Sequence, residues 1–259
     1  MRFISETSSD GVTERLFTLG EVPGVLWTPE DADGARPLIL MGHGGGQHKK
    51  APGVVARARR FAADGGFAVA SIDAPNHGER PTSAEFDQIA TEYQARAAAG
   101  QDTAPLDTAL YMLVVFQIVA EWQAVVTAVQ QLDGIGGGPV GYWGVSMGCA
   151  FGMPLVAAEP RVRAAVLGLQ GSPVLLETAE QISVPVQFLV QWDDELMPRA
   201  QSLAVFDAIG SAEKTLHANP GKHGDLPRFE TDSSVRFFAR HLTGAPVCAD
   251  GGRADGVHD

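Results

Sequence analysis

From Pro37 to Leu242 the chain alternates short apolar runs with longer segments at helical spacing, and this alternation constrains its fold more than any other feature. Pro37–Met41, Phe67–Ile72, Val140–Val145, Ala164–Leu169, Val184–Val190 and Lys214–Ala218 read as strands. Between and after them, Pro52–Asp64, Asp107–Leu132, Met147–Ala158, Pro198–Ile209 and Leu226–Leu242 read as helices. Strands apolar on both faces, separated by helices, belong to a parallel sheet covered on both sides. Upstream, Glu14–Leu19 and Val22–Trp27 read as a hairpin turning at Gly20. The fold class is therefore α/β, a mostly parallel sheet of about eight strands flanked by helices. Residues 80–106 are polar and form a small helical, cap-like insertion. No linker or repeat divides the chain, so residues 1–243 are expected to form one domain, with 244–259 a flexible tail.

Composition narrows the function. Of 259 residues, 19 are Lys or Arg and 31 Asp or Glu, a formal charge of −12. That balance repels phosphate backbones, so no nucleic-acid partner is expected. Cys149 and Cys248 are far apart and outside any zinc-like cluster, which fits a reducing cytoplasm. Met1–Gly20 has no apolar signal core. The apolar stretch Ala109–Trp122 is short and interrupted by Gln117 and Glu121, so no membrane span is expected. Glycine is abundant, at 30 residues with no collagen period. Such glycines serve turns, close packing or backbone contacts to a ligand.

Gly144-Val-Ser146-Met-Gly148 lies between an apolar strand and a helix. G-x-S-x-G alone is a weak signal, but this context is what a nucleophile elbow requires: a sharp turn that lifts the serine above the sheet edge. A neutral serine needs a base, and the base an orienting carboxylate. Asp193 and Asp194 compete for the acid, in the loop after Val184–Val190. His223 lies in a Gly/Pro-rich loop between the last strand and last helix, as a general base requires. His217, His241 and His258 are expected to be structural or solvated. His43-Gly-Gly-Gly46 ends the first core strand, on the same sheet edge as Ser146. Its amides can hold an oxyanion, with Gly45 and Met147 the expected donors. It matches neither a P-loop nor a dinucleotide fingerprint. His43, His48 and His77 match no metal-ligand spacing. Cys149 is expected to be a packed helix residue, and His48 and Lys49 surface or helix-cap residues.

Together these motifs resemble the α/β-hydrolase superfamily, in particular dienelactone-hydrolase-like and prolyl-oligopeptidase-like bacterial serine esterases. HGGGQHKK, Asp73–Arg80 (DAPNHGER), VVFQIVAEW and GVSMG carry the likeness, which covers roughly Arg36–Leu242. The resemblance implies an acid four residues before a proline in a G-x-x-D-x-x-V-P-like run. Here that run reads QWDDELMP and selects Asp194, with Gln191 where glycine is usual. It also implies a structural role for His77 beside the active site. The expected activity is hydrolysis of a small carboxylic ester by Ser146, His223 and Asp194, without metal or organic cofactor, in a monomer or homodimer. Tyr111, Met112, Phe116, Trp192 and Met197 are the candidate pocket wall, with core packing as the alternative for each. A peptidase, thioesterase or lactonase would use the same machinery. From another class, a ligand-binding protein on this scaffold would keep the fold with little turnover.

Overall fold

The computed structural model describes residues 1–30 and 34–244; the expected tail lies outside the described residues apart from Gly244. The strands are β1 (Arg2–Ser9), β2 (Val12–Leu19), β3 (Val22–Pro29), β4 (Leu38–Met41), β5 (Ala68–Ile72), β6 (Val140–Val145), β7 (Val162–Gly168), β8 (Val186–Gln191) and β9 (Lys214–Asn219). The helices are α1 (Pro52–Gly65), α2 (Ala84–Ala98), α3 (Ala104–Val129), α4 (Met147–Ala158), α5 (Leu176–Glu180), α6 (Arg199–Ala208) and α7 (Phe229–Phe238). All nine strands join one sheet in the order β1-β2-β3-β5-β4-β6-β7-β8-β9. The pairs β1–β2, β2–β3 and β3–β5 are antiparallel, and every other pair is parallel.

This order positions the site. From β4 the chain moves to β5 on one side, and then to β6 on the other. In such sheets the crevice beyond the carboxyl ends of the strands, where the order reverses, is the place for a ligand. The loops after β4 and β6 flank that crevice, and Gly42 N–H donates to the Trp143 carbonyl at 2.9 Å to tie them together.

The sheet has a core on each face. On one, α1 and α7 pack Phe61 and Phe238 against Ile39, Trp143 and Val166. On the other, α3 and α4 bring Trp122, Val126, Met153 and Leu155 onto Leu40, Tyr142 and Leu167. Ile39 and Leu40 are neighbours in β4 and fall in opposite clusters, as a period of two demands. Helix α1 starts on Pro52, where a missing N–H costs nothing, and stops at Gly66, whose φ of 68° is cheap only for glycine.

Some expectations are refined and others corrected. Among the described residues the sheet has nine strands, in line with about eight, the addition being β1 paired along β2. Every residue of β1 is exposed, so it carries no buried face for a sequence pattern to reveal. The last helix is shorter: α7 begins at Phe229, and Ala239–Thr243 forms a π-helical turn. Helix α3 is 26 residues long, with a mean hydropathy of 1.8 in its most apolar window, so length and composition alone would let it cross a bilayer. In the fold, 39% of that window is buried, through residues such as Val114, Ile118 and Trp122. Lys49 is not a surface residue. It is buried, and its Nζ donates to Asp73 Oδ2 at 2.8 Å and Glu79 Oε1 at 2.7 Å.

Candidate active site

Ser146 sits between β6 and α4 with φ 57° and ψ −127°, a backbone conformation that L-residues rarely adopt. Such a residue stores on the order of 1–3 kcal/mol of strain, held by its surroundings. The surroundings are tight. A Cβ on Gly144 would lie 2.5 Å from the Gly148 carbonyl oxygen, and one on Gly148 would lie 3.0 Å from the Gly42 carbonyl. Tyr142 fills the space beneath, donating its hydroxyl to the Gly148 carbonyl at 2.6 Å. Ser146 N–H donates to the Gly168 carbonyl at 2.9 Å, which pins the elbow to β7.

Ser146 Oγ lies 2.9 Å from His223 Nε2, and His223 Nδ1 lies 2.7 Å from Asp194 Oδ2. The ionised carboxylate only accepts, so Nδ1 carries the proton and Nε2 presents its lone pair to the serine hydroxyl. Asp194 Oδ1 accepts the N–H groups of Leu196 and Met197 at 2.9 and 2.8 Å. Burial of Asp194 works against its charged form. The His223 hydrogen bond and the two main-chain donors outweigh burial and hold the carboxyl below its ordinary range. Asp193 is exposed, and its main-chain N–H is spent on the Gly221 carbonyl at 3.1 Å. Of the two competing carboxylates, it is Asp194 that meets the histidine.

Met147 is the first residue of α4, so its N–H has no partner within the helix and points out of the N-terminus. A Cβ on Gly45 would lie 4.0 Å from Met147 Cβ, so the glycine loop runs past the elbow. Cys149 is fully buried, and burial pushes its thiol up to about 12, which leaves no thiolate to act as a nucleophile. Among the described residues, no group of three or more His, Cys, Asp or Glu side chains is arranged to hold a metal ion.

The candidate pocket residues are dispersed. Tyr111 is in the core, stacked on Phe151 with ring centroids 6.3 Å apart. Met112 and Phe116 face solvent, Phe116 with 78% of its surface exposed. Trp192 is half-exposed beneath the Arg199 guanidinium, 4.0 Å from the ring centre, and Met197 is partly buried beside Asp194. A small cavity of about 10 Å³ lies behind the glycine loop, lined by His43, Ile118, Trp122, Tyr142, Met147 and Phe151. The α3 residues that reach it, Ile118 and Trp122, lie further along the helix than those expected. Sequence spacing shows that α3 is apolar, and packing alone decides which side meets the crevice.

His77 packs its ring against His43 and Phe86 and bonds through Nδ1 to the Pro75 carbonyl at 2.9 Å. Two further residues of the QWDDELMP run, to which the sequence assigned no role, lie close to the base: Glu195 and Gln191 both bond to the loop that holds His223.

No family model and no curated protein matches the chain. Solved structures do. A cold-adapted esterase from an Arctic intertidal metagenomic library is 32% identical over 93% of this chain and 100% of its own, with a TM-score of 0.77. Two others share the fold at 15% identity. One is acetyl xylan esterase 1 from Thermoanaerobacterium sp. JW/SL YS485, with a TM-score of 0.64 over 92% of this chain and 87% of its own. The other is a ferulic-acid-bound esterase from Butyrivibrio proteoclasticus, with a TM-score of 0.65 over 92% of this chain and 99% of its own. A parallel sheet with its order reversed at the crevice, a serine elbow there and a full-length esterase relative converge: the chain belongs to the esterases of the α/β-hydrolase fold.

Proposed function

We propose that this esterase cleaves small carboxylic esters through an acyl-enzyme formed on Ser146, with His223 as the base and Asp194 as its orienting acid. The observation that carries the reading is the unbroken line from Ser146 Oγ through the His223 ring to Asp194, at 2.9 and 2.7 Å. Ser146 Oγ attacks the ester carbonyl while His223 Nε2 takes its proton. The carbonyl oxygen becomes an oxyanion held by the Met147 and Gly45 N–H groups, aided by the positive end of α4. The tetrahedral species collapses, the C–O bond breaks, and the imidazolium gives its proton to the departing alcohol. Water repeats the sequence in reverse, with His223 again as base, and releases the acid and free Ser146. Asp194 remains ionised throughout and stabilises the imidazolium at each stage.

The cavity behind Met147 is small and lined by the apolar Ile118, Trp122 and Phe151, which favours a short apolar acyl group. A fluorophosphonate probe labels the native protein at Ser146 and leaves Ser146→Ala unlabelled. Across p-nitrophenyl esters, kcat/KM falls from acetate and butyrate to decanoate, and the amide and thioester analogues turn over more slowly than the ester. A native protein that resists the probe while a control esterase is labelled overturns the mechanism. Faster cleavage of the amide or thioester moves the substrate class.

A further inference from the structure

The loop that carries His223 runs from the end of β9 to the start of α7 without regular pairing of its own. Its entry is tied to the acid loop. Trp192 N–H donates to the Asn219 carbonyl at 2.7 Å, and Asp193 N–H to the Gly221 carbonyl at 3.1 Å. The buried Gln191 amide adds longer bonds to the Pro220 and Lys222 carbonyls, at 3.4 and 3.3 Å. At the tip, the main-chain N–H of His223 donates to Glu195 Oε2 at 3.0 Å. Consecutive acidic residues therefore grip one histidine at two points, Asp194 on the ring and Glu195 on the backbone.

We propose that Glu195 is a positioning residue for the base, holding the His223 main chain so that Nε2 stays within reach of Ser146. The proposal rests on His223 being the base. Two soft torsions separate the His223 backbone from its ring. The bond to Asp194 constrains the ring's direction but leaves the His223 main chain free to shift beyond its tethered neighbours, Gly221 on the acid loop and Lys222, whose N–H donates to Asp225 Oδ2 at 3.0 Å. Fixing the main-chain nitrogen removes that freedom, and reactions of this kind tolerate only about 0.5 Å of drift. The neighbours Gly221 and Gly224 supply no side chain to stiffen the tip. Glu195 contacts neither Ser146 nor the glycine loop among its described bonds, so it acts through His223 and not on the substrate. Its side chain is exposed, so changing it leaves the core untouched.

The test compares the native protein with Glu195→Ala and Glu195→Gln on p-nitrophenyl acetate, with fluorophosphonate labelling alongside. Glu195→Ala removes the acceptor and lowers kcat about fivefold to tenfold, with KM changed less than about twofold. Glu195→Gln keeps an acceptor oxygen at the same reach and restores kcat to within about twofold of native. Native kcat in Glu195→Ala overturns the proposal. Equal losses in the two variants also overturn it, because they trace the effect to charge. A native protein that fails to label at Ser146 defeats the mechanistic reading instead, which separates the two failures.

Discussion

His43 is the side chain on which the glycine loop turns. Its Nδ1 lies 2.9 Å from the Gly44 carbonyl, and its Nε2 accepts the Ala74 N–H at 3.0 Å. One nitrogen must donate and the other accept, so the ring has to be neutral. Burial, opposed only in part by the Gly44 bond, lowers its pKa to about 4 from 6.5. The sign follows: a lowered histidine contributes stability that is full above 6.5 and is lost as pH falls toward 4, because only the unfolded chain gains a proton in that window. Between pH 7.5 and 5, urea unfolding of the native protein loses about 2 kcal/mol more than that of His43→Gln. Parallel pH slopes for the two proteins would remove His43 from this role. At the same scale, Asp194→Asn lowers kcat by about three to four orders of magnitude, whereas Asp193→Asn stays within about threefold. Steady-state kinetics on one ester separates them, and the reverse ranking reassigns the acid.

The strand-to-helix elbow is a packing problem, and the glycines in it and in the loop beside it answer different parts of it. An alanine at Gly144 puts a methyl group 2.5 Å from a backbone oxygen of Gly148, which has no side chain to move away. At Gly45 the nearest heavy atom would be 4.0 Å away. Gly144→Ala therefore costs about 1–3 kcal/mol in thermal or urea unfolding, and Gly45→Ala leaves stability within about 0.5 kcal/mol. Equal melting temperatures for the two variants would contradict this reading of the turn.

This scale also explains what a lone sequence discloses. β4, β6 and α4 were legible because a buried strand is apolar throughout and the elbow leaves a local signature at residues 144–148. The preference for Asp194 over Asp193 came only through the resemblance, which implies an acid four residues before a proline, here Pro198. Lys49 was not legible, because its partners Asp73 and Glu79 lie 24 and 30 residues away, and a buried lysine has the same letter as a solvated one. Strand β1 was hidden by having no buried face, and the crevice-facing side of α3 by a helix apolar nearly all round.

At the scale of the whole molecule, the two cores hold the sheet, and the segment 80–106 is attached to it more lightly. Helix α2 has its N-cap, with Ser83 Oγ accepting the Phe86 N–H at 3.1 Å, and Glu85 and Asp87 in the first turn suit its dipole. Yet none of its residues is buried, and it packs against α3. This segment is anchored at its start, where Arg80 pairs with Glu121 through two bonds at 2.6 and 2.8 Å. Both of those side chains are largely buried, which gives this pair more weight than a solvent-exposed one. Opening α2 sacrifices little apolar contact, so it belongs to the low-stability end of the molecule, while β4, β5 and β6 open only with global unfolding. Trypsin reports the difference. Arg96 is the only Lys or Arg in α2, and its partner Glu92 lies on the same helix, so that ion pair does not secure α2 to the rest. Arg80 is followed by Pro81, which blocks cleavage there. Between residues 10 and 190 the first tryptic cut is therefore expected after Arg96, separating fragments that stay associated through β4, β5 and β6. The nicked protein still labels at Ser146, because neither the elbow nor the His223 loop draws on α2. A first cut in α1, at Arg57, Arg59 or Arg60, would mean that α2 is held as firmly as the sheet. Loss of labelling on nicking would make α2 a working wall of the active site.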